Sequence, residues 1–179
     1  MEPARNRAQP CADGDLARLR TRRAGELRTR PCRHRAVCIV AYGVLLHATA
    51  RAEKQWPEES WRALTAQLGN TIDLVVPHGS NAERERASRI ASASPRARVP
   101  ERQPLDAVAR MIAGASFVVG VDTGLLHLAA AFGVPLVAIF VGSEPGLTGP
   151  LGAGPIKVLG ANGAVPSLED VSTAVHSLK

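Results

Sequence analysis

An α/β domain, with a parallel sheet covered by helices on both faces, is the fold that this sequence predicts. Three observations predict it. From Tyr42 onward, short apolar runs rich in β-branched residues alternate about five times with helical patterns, the signature of strand–helix–strand units. The runs at 44–46, 117–121 and 136–141 are apolar throughout rather than alternating, as strands buried on both faces require. A chain of 179 residues that is 45% apolar holds enough material for one real core and too little for an ordinary two-domain enzyme.

The elements follow in order. Val44-Leu45-Leu46 is a buried strand. Residues 57–68 form a helix: Pro57 suits the first helical position, Glu58 and Glu59 favour its positive end, and Gly69 stops it. Trp61, Leu64 and Leu68 line one face, so Trp56 and Trp61 are read as core anchors. Leu74-Val75-Val76 is a second strand. Ser80 and Glu83 have the S-x-x-E spacing of a capping box, opening a helix to about Ala93. Val99 belongs to a short strand. A helix over 104–113 turns Leu105, Val108, Ala109 and Ile112 inward.

Phe117 to Val121 is a strand. Leu125, Leu128, Ala129 and Phe132 recur at helical spacing over 124–132, and Gly133 and Pro135 end that helix. Strands follow at 136–141 and, more weakly, at 156–159. Ser167 and Asp170 cap a last helix with Leu168, Val171, Val175 and Leu178 inward. The stretch 117–141 is long enough to cross a bilayer. Asp122 and His127 inside it, and the break at Gly133-Val134-Pro135, favour a packed strand, helix and strand.

Charge divides the chain. Residues 1–35 carry ten arginines against four acids, whereas the remainder balances twelve basic against twelve acidic residues. The pI near 10 therefore belongs to the head (residues 1–41) and not to the body, which argues against a nucleic-acid-binding domain. The head is aperiodic and interrupted by Pro3, Pro10 and Pro31; it predicts irregular chain, or at most a short basic helix between Leu16 and Leu27. It lacks the apolar run of a signal peptide. Cys11, Cys32 and Cys38 are odd in number without C-x-x-C spacing, so a reduced, cytosolic setting is the default.

The sharpest chemical signal is Val121-Asp122-Thr123-Gly124-Leu125-Leu126-His127, which joins a strand to a helix. A helix N-terminus has spare amides and a positive dipole end, so it suits a diphosphate. Gly124 lets a ligand approach the backbone, Asp122 can accept from sugar hydroxyls, and His127 leans back toward the terminus. The structural alternative is that Asp122 or Thr123 merely caps the helix and His127 is a core histidine. Thr49 and Lys54 follow the first strand, where a hydroxyl and an ammonium can meet phosphate; ordinary solvated loop charges are the alternative. Glu83, after the second strand, can hold a ribose diol, and its capping role is compatible with that. There is no G-x-G-x-x-G or Walker loop, no metal-ligand cluster and no nucleophile elbow in the sequence.

Val44-Leu45-Leu46-His47-Ala48-Thr49, Lys54-Gln55-Trp56-Pro57-Glu58-Glu59-Ser60-Trp61, the segment 117–130 and Pro145-Gly146-Leu147-Thr148-Gly149-Pro150 occur in that order. Together they resemble the carboxyl half of the ADP-heptose:lipopolysaccharide heptosyltransferases, glycosyltransferase family 9, and most the branch that begins the inner core. The likeness runs from Tyr42 to the end. It implies a GT-B enzyme of two Rossmann-like domains. Residues 42–179 would be the donor-binding domain for ADP-L-glycero-β-D-manno-heptose. The amino domain would hold the acceptor, Kdo-lipid A, and an aspartate base. It further implies inversion at the anomeric carbon with no cofactor or essential metal, in the cytoplasm or peripherally at the inner membrane. By resemblance Thr49 and Lys54 contact the diphosphate, Glu83 the ribose and Asp122 the heptose; Thr123 and Gly124 form the amide nest and His127 completes the motif.

The sequence departs from the family at three places. Ala50 replaces a second hydroxyl, Gln103 stands near the usual apolar adenine contact, and Leu151 replaces an aromatic. Ala12-Asp13-Gly14-Asp15 has no apolar strand before it to make it the family's glycine-aspartate loop. The expectation is therefore a truncated form, weak or inactive alone, whose head is a non-native reading of upstream sequence. The alternatives are another GT-B sugar-nucleotide enzyme, epimerase-like, or a non-enzymatic module that binds anions through the basic head.

Overall fold

The computed structural model describes residues 41–178. The expectations for the Arg-rich head, including the short basic helix and the segment 12–15, lie outside the described residues. Six strands form one all-parallel sheet: β1 (Tyr42–Leu46), β2 (Asp73–Val75), β3 (Ala97–Arg98), β4 (Phe117–Val121), β5 (Leu136–Ile139) and β6 (Ile156–Leu159). Their spatial order is β3-β2-β1-β4-β5-β6. The chain thus winds outward from β1 in one direction and from β4 in the other. β1 and β4 lie side by side in register, Val44 opposite Val118 and Leu46 opposite Gly120. Their carboxyl ends open at the point where the winding reverses, which is where an open parallel sheet leaves a crevice.

The helices are α1 (Glu58–Leu68), α2 (Asn81–Ala91), α3 (Leu105–Ala113), α4 (Gly124–Ala131), the single turn α5 (Pro145–Thr148) and α6 (Leu168–His176). Period two along the central strands divides the core. Leu45, Val119, Val121, Val137 and Ile139 face one way, against α1, α2 and α6. Val44, Leu46, Val118, Leu136, Ala138 and Phe140 face the other way, against α3 and α4. The apolar run at 117–141 is strand, helix and strand, and no helix among the described residues is long and apolar enough to cross a membrane.

Trp56 and Trp61 are fully buried, edge to face with ring centroids 5.2 Å apart. They are core anchors, and the Trp56 indole N–H also donates to the Pro166 carbonyl at 3.0 Å, tying the loop before α1 to the entry of α6.

Several local expectations shift. Pro57 caps α1 from just outside it rather than opening it. Only half of the Ser80–Glu83 capping box forms: the Ser80 hydroxyl accepts from the Glu83 amide, but the Glu83 carboxylate reaches past Ser80 to the Gly79 N–H at 2.6 Å. The reciprocal box does form at Ser167 and Asp170. α2 ends at Ala91, and β3 is Ala97–Arg98, just short of Val99.

The inner face of α4 is Leu126, Ala129 and Ala130, one step round from the face expected, and Phe132 is 45% exposed. The helix is apolar nearly all round, so periodicity could not choose its inner side. Gly133, at φ +70°, ends the helix in the left-handed region open to glycine. Leu105 is 68% exposed instead of inward, because it opens α3 at the crevice.

Leu45 is fully buried in the centre of the sheet. Leu45→Ala is expected to lower the unfolding free energy by about 3 kcal/mol. Urea denaturation followed by tryptophan fluorescence measures this, and a loss below about 1 kcal/mol would mean that β1 is not the packed centre.

Candidate functional site

Two chain segments leave the switch point. After β1 the chain passes His47, Ala48 and Thr49, then makes a 3-10 turn over Ala52–Lys54 that presents Lys54. After β4 it reaches Asp122 and enters α4 at Gly124. The Lys54 Nζ donates to Asp122 Oδ2 at 2.6 Å, and the Ser143 hydroxyl donates to the same oxygen at 2.7 Å. The Thr49 hydroxyl donates to the Asp122 backbone carbonyl at 3.0 Å. Three loops, following β1, β4 and β5, are thereby tied at one aspartate. Among the described residues, Asp122 Oδ1 takes no hydrogen bond and remains available to a hydroxyl.

Asp122 is only 8% exposed. Burial by itself pushes its carboxyl up, but the hydrogen bonds from Lys54 and Ser143, with the Lys54 charge, outweigh burial and hold it below the ordinary value. The site therefore favours the ionised carboxylate despite its burial.

The helix-capping alternative does not describe α4. Thr123 occupies the N-cap position but its side chain makes no capping bond, and the Asp122 side chain is engaged by Lys54 and Ser143. Among the described residues no acceptor meets the amides of Gly124 and Leu125. A Cβ on Gly124 would meet nothing within 4 Å, so packing does not require glycine there; the hollow that Thr123 and Gly124 border is one a phosphate could enter. His127 is exposed, not a core histidine.

Thr49, Lys54, Asp122, Thr123, Gly124 and His127 line one hollow of about 280 Å³. Glu83 lines a second hollow of about 380 Å³, which shares Thr49, Ala50 and Thr123 with the first. All seven residues singled out from the sequence therefore border one continuous rim. Gln103 and the exposed Leu105 stand in the second hollow as well, so an apolar side chain is present beside the glutamine.

Ser143 is a member of the site that the sequence reading misses. It follows β5 on the same rim, and the strand-end rule that finds Asp122 would have found it. Arg51 also lines the first hollow and makes no ion pair among the described residues. Among the described residues no group of three or more His, Cys, Asp or Glu stands together to hold a metal ion.

His47, at the end of β1, is fully buried, and neither ring nitrogen has a partner among the described residues. Burial and then the Arg86 charge lower its pKa from 6.5 to about 4, so it stays neutral near pH 7.

These shifts fix the sign of two pH effects. A histidine whose folded pKa is depressed costs stability as pH falls from its ordinary value to its folded one. Between pH 6.5 and about 4, His47 should remove roughly 3 kcal/mol, and His47→Leu should abolish that fall in urea titrations across the window. Asp122 acts lower on the scale: its depressed pKa contributes stability above the ordinary carboxylate value of about 4, lost as pH falls through the folded value. Lys54→Met is expected to cost about 2 kcal/mol at neutral pH, with the gap to wild type narrowing toward about pH 3. A pH-independent gap would show that the pair does not set the Asp122 ionisation.

Comparison with known proteins identifies the family and the fold. The model of glycosyltransferase family 9 (heptosyltransferase) matches residues 22–176, reaching back into the Arg-rich head. The chain is 46% identical over 112 residues to lipopolysaccharide heptosyltransferase 1 of Escherichia coli K12, an alignment covering 62% of this chain and 35% of the relative. It spans about a third of that relative's length. The solved E. coli heptosyltransferase WaaC with ADP superposes with a TM-score of 0.73 at 35% identity, covering 79% of this chain and 46% of that one. WaaC with ADP-2-deoxy-2-fluoro heptose gives 0.63 at 40% identity, over 76% and 41% of the two chains. A six-stranded parallel sheet of Rossmann-like order, three loops tied at one aspartate and a family match over most of the sequence lead to one conclusion: this chain belongs to glycosyltransferase family 9, the heptosyltransferases.

Proposed function

We propose that residues 42–179 are the donor-binding domain of a heptosyltransferase acting in the lipopolysaccharide inner core, and that the rim between β1 and β4 grips ADP-heptose. One observation carries this: the ammonium of Lys54, the hydroxyl of Thr49, the carboxylate of Asp122 and the uncapped amides of α4 border one hollow, with Glu83 beside it. A diphosphate needs cationic and amide donors, and a sugar needs a carboxylate acceptor.

In this proposal the Gly124 and Leu125 amides and Thr49 hold the phosphates. Lys54 bridges the diphosphate and Asp122. Asp122 Oδ1 accepts from the heptose, and Glu83 accepts from the ribose diol. His127 stands over the phosphate end. In the transfer, an acceptor hydroxyl attacks the anomeric carbon from the face opposite the diphosphate. The bond from that carbon to the diphosphate oxygen breaks, and ADP leaves with the electron pair. The hydroxyl proton goes to a base. Lys54 and the helix terminus lower the barrier by stabilising charge that grows on the leaving oxygen.

The acceptor surface and the base would come from a second domain, positioned against this one to bring the hydroxyl into line. The chain alone is accordingly proposed to bind donor and to transfer weakly or not at all. By the same reasoning Kdo-lipid A is its acceptor only when that domain is supplied, at the cytoplasmic face of the inner membrane.

Titration calorimetry with ADP tests the donor site. Wild type should bind ADP in preference to UDP. Lys54→Ala and Glu83→Ala should each weaken binding about tenfold, the loss of one charge-assisted hydrogen bond. The absence of heat and of any thermal shift at about 1 mM ADP, a concentration that detects even weak sites, would overturn the proposal. A preference for UDP would instead favour an epimerase-like enzyme.

A further inference from the structure

The loop that carries Thr49 and Lys54 is not held by its own turn. It has one short 3-10 turn with no buried residue and no side-chain cap, so little within it fixes where the Lys54 ammonium points. What spans it is Arg86, from the second turn of α2. Arg86 donates to the His47 carbonyl at 3.4 Å, to Gln55 Oε1 and to the Trp56 carbonyl at 2.7 Å. These three acceptors bracket the loop: His47 is where it leaves β1, and Gln55-Trp56 is where it enters α1. A guanidinium can serve both ends because its donors form a rigid planar fork; a lysine ammonium cannot.

The contact is sheltered. The Arg86 side chain is 13% exposed and its charge faces Glu58 at 3.8 Å, whereas Arg89, the other partner of Glu58, is 56% exposed. Glu83 lies one turn before Arg86 on the same helix. One helix thus presents the proposed ribose acid and grips both ends of the proposed phosphate loop.

We infer that Arg86 is a positioning residue of the donor site: it clamps the two ends of the loop 47–56 so that Thr49 and Lys54 stand fixed against Asp122 at a set distance from Glu83. The inference rests on the nucleotide-sugar reading for its purpose, but the clamp itself is testable without ligand. Arg86 touches neither hollow and takes no part in chemistry.

The loop carries its own reporters, since trypsin cuts after Arg51 and Lys54. Exposed Arg110 and Lys157, on α3 and β6, serve as internal controls. The full chain is digested briefly and the new amino termini Ala52 and Gln55 are followed by mass spectrometry. In Arg86→Gln, cleavage at the two loop bonds should accelerate about tenfold, as loss of about 1.4 kcal/mol of local restraint implies. Cleavage after Arg110 and Lys157 should stay within about twofold, because only local opening changes. Gln55→Ala, which removes one acceptor and leaves the core intact, should accelerate the cut after Arg51, whose flanking residues it does not change, by a smaller factor. It decides the matter if Arg86→Gln does not fold. Arg86→Lys should not restore wild-type protection. ADP affinity should fall in parallel with loop release.

Equal acceleration at all four bonds would make Arg86 a general stability residue and overturn the clamp. So would unchanged loop cleavage in both variants, or full protection in Arg86→Lys. Selective loop release in a wild-type background that binds no ADP would sink the nucleotide proposal and leave the clamp standing. Wild-type ADP binding that neither variant weakens would sink the clamp's role and leave the nucleotide proposal standing.

Discussion

The ion pair between Lys54 and Asp122 organises this molecule's working edge. Its two members lie 68 residues apart in sequence and meet at 2.6 Å. They meet because β1 and β4 are neighbours in register, which places the loops that leave them side by side. The pair keeps a nearly buried carboxylate ionised against the cost of its burial. In return the carboxylate fixes a flexible ammonium at the mouth of a hollow. A buried ion pair is a poor source of stability, since desolvation offsets most of its attraction. Its persistence at a strand-end crevice is better explained by what it holds in place.

Around that pair the structure places supports of decreasing directness. Ser143 shares the Asp122 oxygen that Lys54 uses, and Thr49 fastens the Asp122 backbone. Behind them Arg86 bridges the two ends of the Lys54 loop. Trp56, at the far end of that loop, is locked into the core beside Trp61 and bonded to Pro166. The site thus draws on both sides of the fold: a loop pinned to α1 and α2, and a helix terminus packed on the opposite face. This is how a rigid sheet lends accuracy to loops that have little structure of their own.

His47 is the unexpected member. It continues the apolar strand β1 into the core with no partner for either ring nitrogen among the described residues, and burial with the Arg86 charge keeps it neutral. Its carbonyl serves Arg86. The backbone of this residue is therefore useful while its side chain is costly in acid.

Much of the fold and of the rim is legible in the order of residues. Continuous apolar runs identify β1, β4 and β5 as doubly buried strands, because only a strand between two helical layers is apolar on both faces. Strand-end position singles out Thr49, Lys54, Glu83, Asp122, Thr123, Gly124 and His127, and all seven border the rim. The differences have identifiable reasons. Periodicity misplaces the inner face of α4 because that helix is apolar nearly all round. It also turns Leu105 inward, although the position of that residue at the mouth of the crevice exposes it. Spacing alone suggests the Ser80–Glu83 box, and spacing cannot say that the carboxylate will prefer the Gly79 amide. Sequence by itself determined the alternation of elements and the chemistry available at each strand end, because both are local properties of residue type and period. Only the tertiary structure decided that Lys54 and Ser143 share one oxygen of Asp122 and that Arg86 spans the loop, because strand order brings together segments whose separation along the chain carries no signal of their contact.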